Sequence, residues 1–337
     1  MLAGAGLAQQ TAPGEVRILP VRANIYMLVG AGGNITVSAG QDGVLLVDSG
    51  LAQMSDQVLA AIREIQKQVA TNGVATMHWG AEGRSSLRAI MDTDAPPKAI
   101  RYIINTHVHP DHVGGNEKIG RAGKTYTGGN VAGNIADAGE GAAIIAHENV
   151  LNRLSETKPA VPFAMLPTDT YHIDSMNLSH FFNGDGVQII HAPDAHTDGD
   201  SMVYFRGSDV LATGDIFTPE RYPIIDLARG GSIQGEIDAL NHILDIAIPE
   251  FRLEGGTMVI PGHGRLCDAA DVAYYRDMVT IIRDRIEFLI RKDQTLEQIK
   301  AAKPTLDYDG IYGATSGIWT TDMFIEAVYK SLRNQKK

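Results

Sequence analysis

Short apolar runs alternate along the chain with longer segments whose apolar residues are spaced as on one face of a helix. The runs have the length and composition of buried strands. The residues concerned are 24–29, 34–38, 44–47, 99–105, 142–146, 186–191, 202–205, 209–213 and 257–260. Between these runs, apolar residues spaced by three and four positions predict helices. Strands that alternate with helices in this way predict an α/β protein.

The clearest helical stripe follows the strand at 44–47. It consists of Leu51, Met54, Val58, Ile62, Ile65 and Val69. Further helices are predicted at 148–156, 237–247 and 272–290. Residues 296–332 indicate two short helices around a loop rich in Tyr and Gly at 308–318, so that 295–337 forms a helical C-terminal extension.

Three stretches interrupt this pattern. Residues 71–97 carry several Gly and Pro and predict an insertion, either a flap over a functional site or a surface elaboration. Residues 116–135 are rich in Gly and Asn and predict a loop, while 30–33 predict a turn between two strands. A phosphate-binding loop is disfavoured at 30–33, because a strand and not a helix follows. Since no linker or repeat is present, 18–337 is predicted to be a single domain.

The amino-acid composition limits the kinds of molecule that the protein is predicted to bind. The 337 residues carry a net charge of −11 and no Lys/Arg run, which argues against nucleic acid as the partner. No apolar run has the length that a bilayer requires, so no membrane partner is predicted. A small-molecule substrate fits both observations, whereas the sequence leaves the oligomeric state open. The single cysteine, Cys267, excludes an internal disulfide and is predicted to be a buried, inert thiol.

The N-terminal segment, residues 1–17, admits two interpretations. It begins with small and apolar residues and then becomes polar, like the end of a secretory signal with a cleavage site near Ala8. It lacks the basic start of such a signal. The protein is therefore either periplasmic or secreted, with residues 1–17 containing a signal-peptide remnant, or cytoplasmic with a flexible N-terminus.

The highest density of potential metal ligands follows the strand predicted at 99–105, in residues 106–115. Three histidines and one aspartate lie within six residues there, namely His107, His109, Asp111 and His112. Imidazole and carboxylate together suit a divalent cation such as zinc. Residues two apart on an extended segment share a face, so His107 and His109 point toward one metal position. Pro110 suits the first turn of a helix, from which Asp111 and His112 would face a second metal.

This arrangement resembles the metallo-β-lactamase superfamily. The remaining ligands of the family match His196, Asp215 and His263, in the expected order. The resemblance implies a four-layer αββα sandwich. It also implies one metal held by His107, His109 and His196, a second metal held by Asp111, His112 and His263, and Asp215 as a bridge between the two.

The resemblance further implies hydrolysis at two Zn²⁺ ions, with iron or a mixed Fe/Zn pair as alternatives. A hydroxide that bridges the metals would attack a carbonyl carbon of a small-molecule lactam, lactone or thioester, with Asp111 and Asp215 as catalytic carboxylates. A β-lactamase-like hydrolase is the first hypothesis, because the cysteine-free ligand set resembles the third subclass of β-lactamases. A bridging Asp215 is more similar to lactonases and glyoxalase II. A small-molecule phosphodiesterase and a non-catalytic metal-binding protein are the further alternatives.

Four residues outside the ligand set bear on the site. Arg229 and Tyr222 lie where the family builds its substrate wall and are predicted to bind substrate; for Arg229, an internal salt bridge is the alternative. The resemblance places Asp48 beneath the metals, although a helix cap would also suit it. His147 ends a predicted strand and is interpreted as a structural histidine, because the ligand set is complete without it.

Overall fold

The computed structural model describes residues 15–71, 98–125, 141–178, 181–250 and 255–334. Most of the N-terminal segment and of the insertion predicted at 71–97 therefore lies outside the described residues. Within the described parts, the chain forms two β-sheets and nine α-helices. No helix among the described residues combines the length and hydropathy that a membrane span requires.

The first sheet has seven strands whose order in space follows their order in the chain. They are β1 (Arg17–Arg22), β2 (Ile25–Val29), β3 (Ile35–Gly40), β4 (Gly43–Val47), β5 (Ile100–Ile104), β6 (Ala143–His147) and β7 (Asp169–Tyr171). Strands β1 to β4 pair antiparallel, and β4 to β7 pair parallel. Parallel pairs require crossover connections, and a helix provides the crossover between β4 and β5.

The second sheet has five strands in the order β12-β11-β10-β9-β8. They are β8 (Ser175–Asn177), β9 (Val187–His191), β10 (Ser201–Phe205), β11 (Val210–Ala212) and β12 (Met258–Ile260). Only the β11/β12 pair is parallel among the described strands of this sheet. The helix Ile233–Ile246 connects the two strands of that pair.

The nine described helices are of very different lengths. The first four are α1 (Ser55–Thr71), α2 (Pro110–Val113), α3 (Asn116–Ala122) and α4 (Glu148–Ser155). The others are α5 (Ile233–Ile246), α6 (Ala269–Arg291), α7 (Leu296–Ala301), α8 (Asp309–Tyr312) and α9 (Thr321–Asn334). Asp268 and Thr295 begin α6 and α7 with capping boxes, in which the side chains of the cap residue and of the third helical residue each accept a hydrogen bond from the other residue's backbone N–H.

Side-chain alternation along the strands builds the layers. Leu45 and Val47 of β4 pack in the core between the two sheets, whereas Val44 and Leu46 pack against α1 and α3. The outer face of the second sheet packs against α5, α6 and α9. Helices, sheet, sheet and helices thus form an αββα sandwich, which confirms the predicted fold class.

Two expectations differ from the structure. The predicted loop at 116–135 begins instead with helix α3, since the buried side chain of Asn116 bonds Asn105 and the carbonyl of Met165. This tertiary anchoring overrides the weak helix propensity of the local sequence. In the C-terminal extension, three helices form where two short ones were predicted. The 14-residue α9 is stable because Phe324 and Val328 are fully buried on one face.

Candidate metal centre

The seven candidate ligands all follow the carboxyl ends of strands. His107 and His109 come after β5 and lead into α2, which carries Asp111 and His112. His196 follows β9, Asp215 lies in a 3₁₀ turn directly after β11, and His263 follows β12. Because strand ends from both sheets meet at one edge of the sandwich, side chains far apart in the sequence converge there.

The structure brings these side chains together in two groups. The first ligand group is His107, His109, His196 and Asp215, and the second ligand group is Asp111, His112 and His263. Within each group, the potential ligand atoms all lie within 4.8 Å of one another. This division matches the one that the resemblance implies.

Asp215 lies between the two groups. Its Oδ1 atom is 3.3 Å from Nε2 of His112 and 3.4 Å from Nε2 of His263. Its Oδ2 atom is 3.9 Å from Nε2 of His196. Each carboxylate oxygen therefore faces a different group, which is the arrangement that a bridging ligand needs.

Three donor atoms of this cluster are buried without a hydrogen-bond partner among the described residues. They are Nε2 of His107, Nε2 of His112 and Oδ1 of Asp215. A buried polar atom without a partner costs about 1–3 kcal/mol, so three of them at one point would be a heavy penalty. Divalent cations held in the two groups would satisfy these atoms, because imidazole nitrogen and carboxylate oxygen are their preferred donors. The residues present therefore fit a metal centre.

Carboxylates orient two of the histidines by a hydrogen bond to the ring nitrogen that faces away from the ligand groups. Nε2 of His109 donates to Oδ2 of Asp226 over 2.9 Å, which leaves Nδ1 to face the first ligand group. Nδ1 of His112 donates to Oδ2 of Asp48 over 2.7 Å, which leaves Nε2 to face the second. A carboxylate behind a metal-binding imidazole fixes both its tautomer and its ring orientation.

The carboxylate of Asp48 accepts three hydrogen bonds from residues of the site. Besides the bond from His112, it accepts hydrogen bonds from the backbone N–H and the hydroxyl of Thr106, over 2.8 and 2.7 Å. Its backbone has a φ of +68°, a strained conformation for a residue with a side chain. Asp48 thus supports the metal-site loop from below, and Leu51 takes the capping position before the next helical turn.

Neutral partners hold the other two histidines of the first group. Nδ1 of His196 lies 2.6 Å from the carbonyl oxygen of Ile224, and Nδ1 of His107 lies 3.0 Å from the hydroxyl of Thr106. In both rings the remaining nitrogen, Nε2, points into the cluster. All three histidines of the first ligand group are therefore held from behind.

Burial and neighbouring charges set the protonation of the ligands. Burial, together with the adjacent imidazoles of His112 and His196, lowers the pKa of His107 well below its usual range. Burial likewise lowers the pKa of His196 to about 4. For Asp215, burial opposes ionisation, but the charges of His112 and His263 outweigh it and lower the pKa well below the usual range. Burial also opposes the charge of His112, but the charges of Asp48 and Asp215 outweigh it and raise its pKa well above the usual range. His107 and His196 are thus neutral and Asp215 is ionised, the forms that bind metal, whereas His112 would release its proton when a metal binds.

One side of the cluster is open to solvent. The side chains of His109, His263 and Asp111 are 19%, 25% and 32% exposed, whereas His107, His112 and His196 are fully buried. Burial works against the charge of Asp111, but the hydrogen bond from His263 and the charge of His112 lower its pKa to about 2. An ionised carboxylate therefore stands at the opening, where a substrate would arrive.

The two predicted substrate contacts lie in different environments. The guanidinium of Arg229 is 45% exposed and pairs with Oδ2 of Asp226 over 2.6 Å, so the salt-bridge alternative is present in the structure. Tyr222 is 1% exposed: its hydroxyl donates to Asp309 over 2.8 Å, and its ring stacks on Phe324. The side chain of Tyr222 is thus part of the core and is closed to a substrate.

His147, the histidine that ends β6, is not part of either group. His147 stacks on His191 with ring centroids 3.7 Å apart, and its Nδ1 accepts a hydrogen bond from the backbone N–H of Asn149. Asp226, in contrast, supports a candidate ligand through its hydrogen bond with His109, although the sequence assigned it no role. The only available signal was a general one, namely that a metal-binding histidine requires a partner for its second nitrogen.

The αββα sandwich with a His/Asp cluster at its strand ends defines a class of metal-dependent hydrolases. The chain belongs to the metallo-beta-lactamase superfamily, because the model of that family matches residues 28–263, well over half of the chain. All seven candidate ligands lie within the matched region.

Solved structures share this fold at low sequence identity. A metallo-beta-lactamase from Pontibacter korlensis has a TM-score of 0.51 and 13% identity, with 79% of this chain and 99% of that one covered. The DIM-1 metallo-beta-lactamase has a TM-score of 0.51 and 16% identity, with coverages of 79% and 97%. The sec-alkylsulfatase Pisa1 from Pseudomonas sp. has a TM-score of 0.60 and 17% identity, with 94% of this chain covered. This chain spans half the length of the alkylsulfatase, and at such identities the likeness shows the fold alone.

Proposed function

We propose that the protein binds two Zn²⁺ ions, one in each ligand group, and hydrolyses a lactam, a lactone or a thioester in a small molecule. The position of Asp215 carries this proposal. One of its oxygens faces the first group and the other faces the second, and the unpartnered Oδ1 is buried. Two cations held so close together form a catalytic arrangement, whereas structural zinc sites are normally closed and rich in cysteine.

The chain's own residues prepare this site for an acyl substrate. A zinc pair supplies a water that is acidic near neutral pH and an electrophile for a carbonyl oxygen. Asp226 and Asp48 hold His109 and His112 in fixed orientations, so the centre is organised before substrate arrives. Asp111 stays ionised at the opening, where its carboxylate can orient a proton of the attacking water.

Arg229 is the side chain best suited to recognise a substrate anion. Its ion pair with Asp226 fixes one nitrogen beside His109, and nearly half of the side chain remains in solvent. A guanidinium has five N–H donors, so the groups not used by Asp226 can bind a carboxylate in a bidentate manner. We therefore expect the preferred substrate to carry a carboxylate near its scissile carbonyl.

Two kinds of acyl substrate are the leading candidates, a β-lactam on one side and a lactone or thioester on the other. The cysteine-free ligand set favours a β-lactam, which is the first choice. The bridging position of Asp215 favours a lactone or a thioester instead. A phosphodiester is the remaining alternative, since an activated water can also attack phosphorus.

The test is a substrate panel with zinc-loaded protein: a chromogenic cephalosporin, an acyl-homoserine lactone, a glutathione thioester and bis(p-nitrophenyl) phosphate. We expect chelator-sensitive release of a carboxylate from one of the first three. Asp215→Asn should reduce that turnover at least about 100-fold, whereas Asp245→Asn, on the exposed face of α5, serves as the matched control and should not.

The outcomes separate the hypotheses. Cleavage of the phosphodiester alone would overturn the acyl assignment and leave the metal centre intact. Failure of the wild-type protein to bind zinc, measured by atomic emission after dialysis, would overturn the proposal as a whole. In the favourable case, Arg229→Ala raises KM for a carboxylate-bearing substrate and has little effect on its neutral methyl ester.

A further inference from the structure

The glycine-rich turn between β2 and β3, residues 30–34, contacts the metal centre, although the sequence indicated only a connection between strands. The backbone N–H of Gly33 donates to the carbonyl of Asp111 over 3.1 Å. A Cβ atom on Gly33 would lie 2.5 Å from Cε1 of His112, so only glycine allows the imidazole to occupy its position. The turn thus lies directly against two ligands of the second group.

Asn34, the last residue of the turn, reaches the third ligand of the same group. Its backbone N–H donates to the carbonyl of Gly262 over 2.7 Å. Its side-chain amide, which is buried, donates to the carbonyls of Pro261 and Gly264, over 2.9 and 3.0 Å. Three hydrogen bonds from one residue therefore hold the short loop that carries His263.

The contacts of this turn divide unequally between the two groups. Asp111, His112 and the loop of His263 make up the whole second ligand group, and each is contacted by the turn. Among the described residues, no hydrogen bond joins the turn to His107, His109 or His196. The first group has its own supports, such as Asp226 behind His109.

We propose that the β2–β3 turn, acting mainly through Asn34, is a positioning element that sets the affinity of the second metal position independently of the first. The hydrogen bonds of Asn34 go to backbone carbonyls of the His263 loop and not to a candidate ligand side chain. Loss of its amide leaves the buried carbonyl of Pro261 and the half-buried carbonyl of Gly264 without this donor and releases the loop. The second metal position then loses a fixed ligand while the first stays complete.

The experiment measures stepwise Zn²⁺ affinities of the full chain by competition with a chromophoric chelator, together with the zinc content after dialysis. For Asn34→Ala we expect one of the two binding steps to become about 10- to 100-fold weaker and the other to stay unchanged. Gly33→Ala, which pushes the ring of His112 aside, should have the same effect. The matched control is Asn24→Ala, because Asn24 bonds Ser38 at the opposite end of the same hairpin; it should bind zinc like the wild type.

Two results would overturn the inference. Unchanged affinities in both Asn34→Ala and Gly33→Ala would show that the turn does not position the second group. Equal loss at both steps, accompanied by a lower melting temperature, would show a general structural role. The inference rests on the proposed dinuclear centre, but its failure is distinguishable, because the wild-type protein reports in the same titration whether two zinc ions bind at all.

Discussion

Nε2 of His109 donates to Oδ2 of Asp226 over 2.9 Å, and this bond connects the loop after β5 to the loop after Asp215. Burial opposes the charge of Asp226, but hydrogen bonds from His109 and Arg229 outweigh it and lower its pKa well below the usual range. An ionised carboxylate is thus held directly behind a metal-facing imidazole. The bond joins a candidate ligand that follows β5 of the first sheet to a loop that follows β11 of the second.

Asp226→Ala should weaken zinc binding at the first ligand group about 10- to 100-fold, because the imidazole of His109 loses its orientation and part of its basicity. The measurement is the same chelator competition, with Asp238→Ala on the surface of α5 as control. The affinity of the other binding step should stay unchanged. Identical binding curves for Asp226→Ala and wild type would show that His109 is positioned without Asp226.

Glu236 of α5 is fully buried, and neither of its carboxylate oxygens has a hydrogen-bond partner among the described residues. Burial, followed by the charges of Asp200 and Asp215, raises its pKa well above the ordinary 4.5. Below pH 4.5 both folded and unfolded chains hold this proton. As the pH rises toward the folded-state pKa, only the unfolded chain releases it, so stability is lost.

Glu236→Gln removes this titration and should raise the free energy of unfolding at pH 8 by on the order of 1–3 kcal/mol. Urea denaturation at pH 5 and pH 8 tests this, and the gap between variant and wild type should widen at the higher pH. Glu297→Gln, at an exposed position, should show no such gap. A variant less stable than wild type at pH 8 would mean that the charged glutamate is stabilised in the fold.

Cys267 should be inert in the folded protein. Its side chain is buried, and burial together with the charge of Asp271 raises the pKa of the thiol from 9.0 to about 12. Because the thiolate is the reactive form, we expect reaction with Ellman's reagent at pH 8 to be about 1000-fold slower than for a free thiol. One equivalent should react at once in guanidinium chloride. Rapid reaction in native buffer would contradict the buried position.

Tyr222→Phe should lower stability and leave substrate binding unchanged. The change removes the hydrogen bonds from the hydroxyl to Asp309 and to the carbonyl of Thr305, at a cost of about 1 kcal/mol. Thermal unfolding and KM are the two measurements. Tyr274→Phe, whose ring is exposed on α6, should alter neither. A higher KM with unchanged stability would show that Tyr222 binds substrate after all.

The sequence predicts the layers and the ligand cluster well for a local reason. Period-two and period-3.6 patterns report which face of an element is buried, and β4 illustrates this with residues that alternate between two cores. The spacing of His107, His109 and His112 likewise follows from a strand that ends in a helical turn. Each of these two signals is carried by residues that are only a few positions apart in the sequence.

The supports of the site are not predictable in this way. Asp226 is 117 positions from His109, and Asn34 is 227 positions from Pro261. No periodicity relates residues at such separations, because their pairing is decided only when the two sheets pack. The turn at 30–33 shows the same limit: its glycines indicate a turn, but the requirement for close approach to His112 appears only in three dimensions.

The distribution of ligands over the two sheets also bears on how the protein is made. His107, His109, Asp111 and His112 leave the ribosome before any strand of the second sheet exists, and His263 follows the last of those strands. N-terminal parts of a chain emerge first during synthesis. A complete set of donors therefore forms only after β12 has been synthesised and has joined its sheet. Metal can therefore bind to the full donor set only late in the synthesis of each molecule, and a chain truncated before His263 cannot assemble that set.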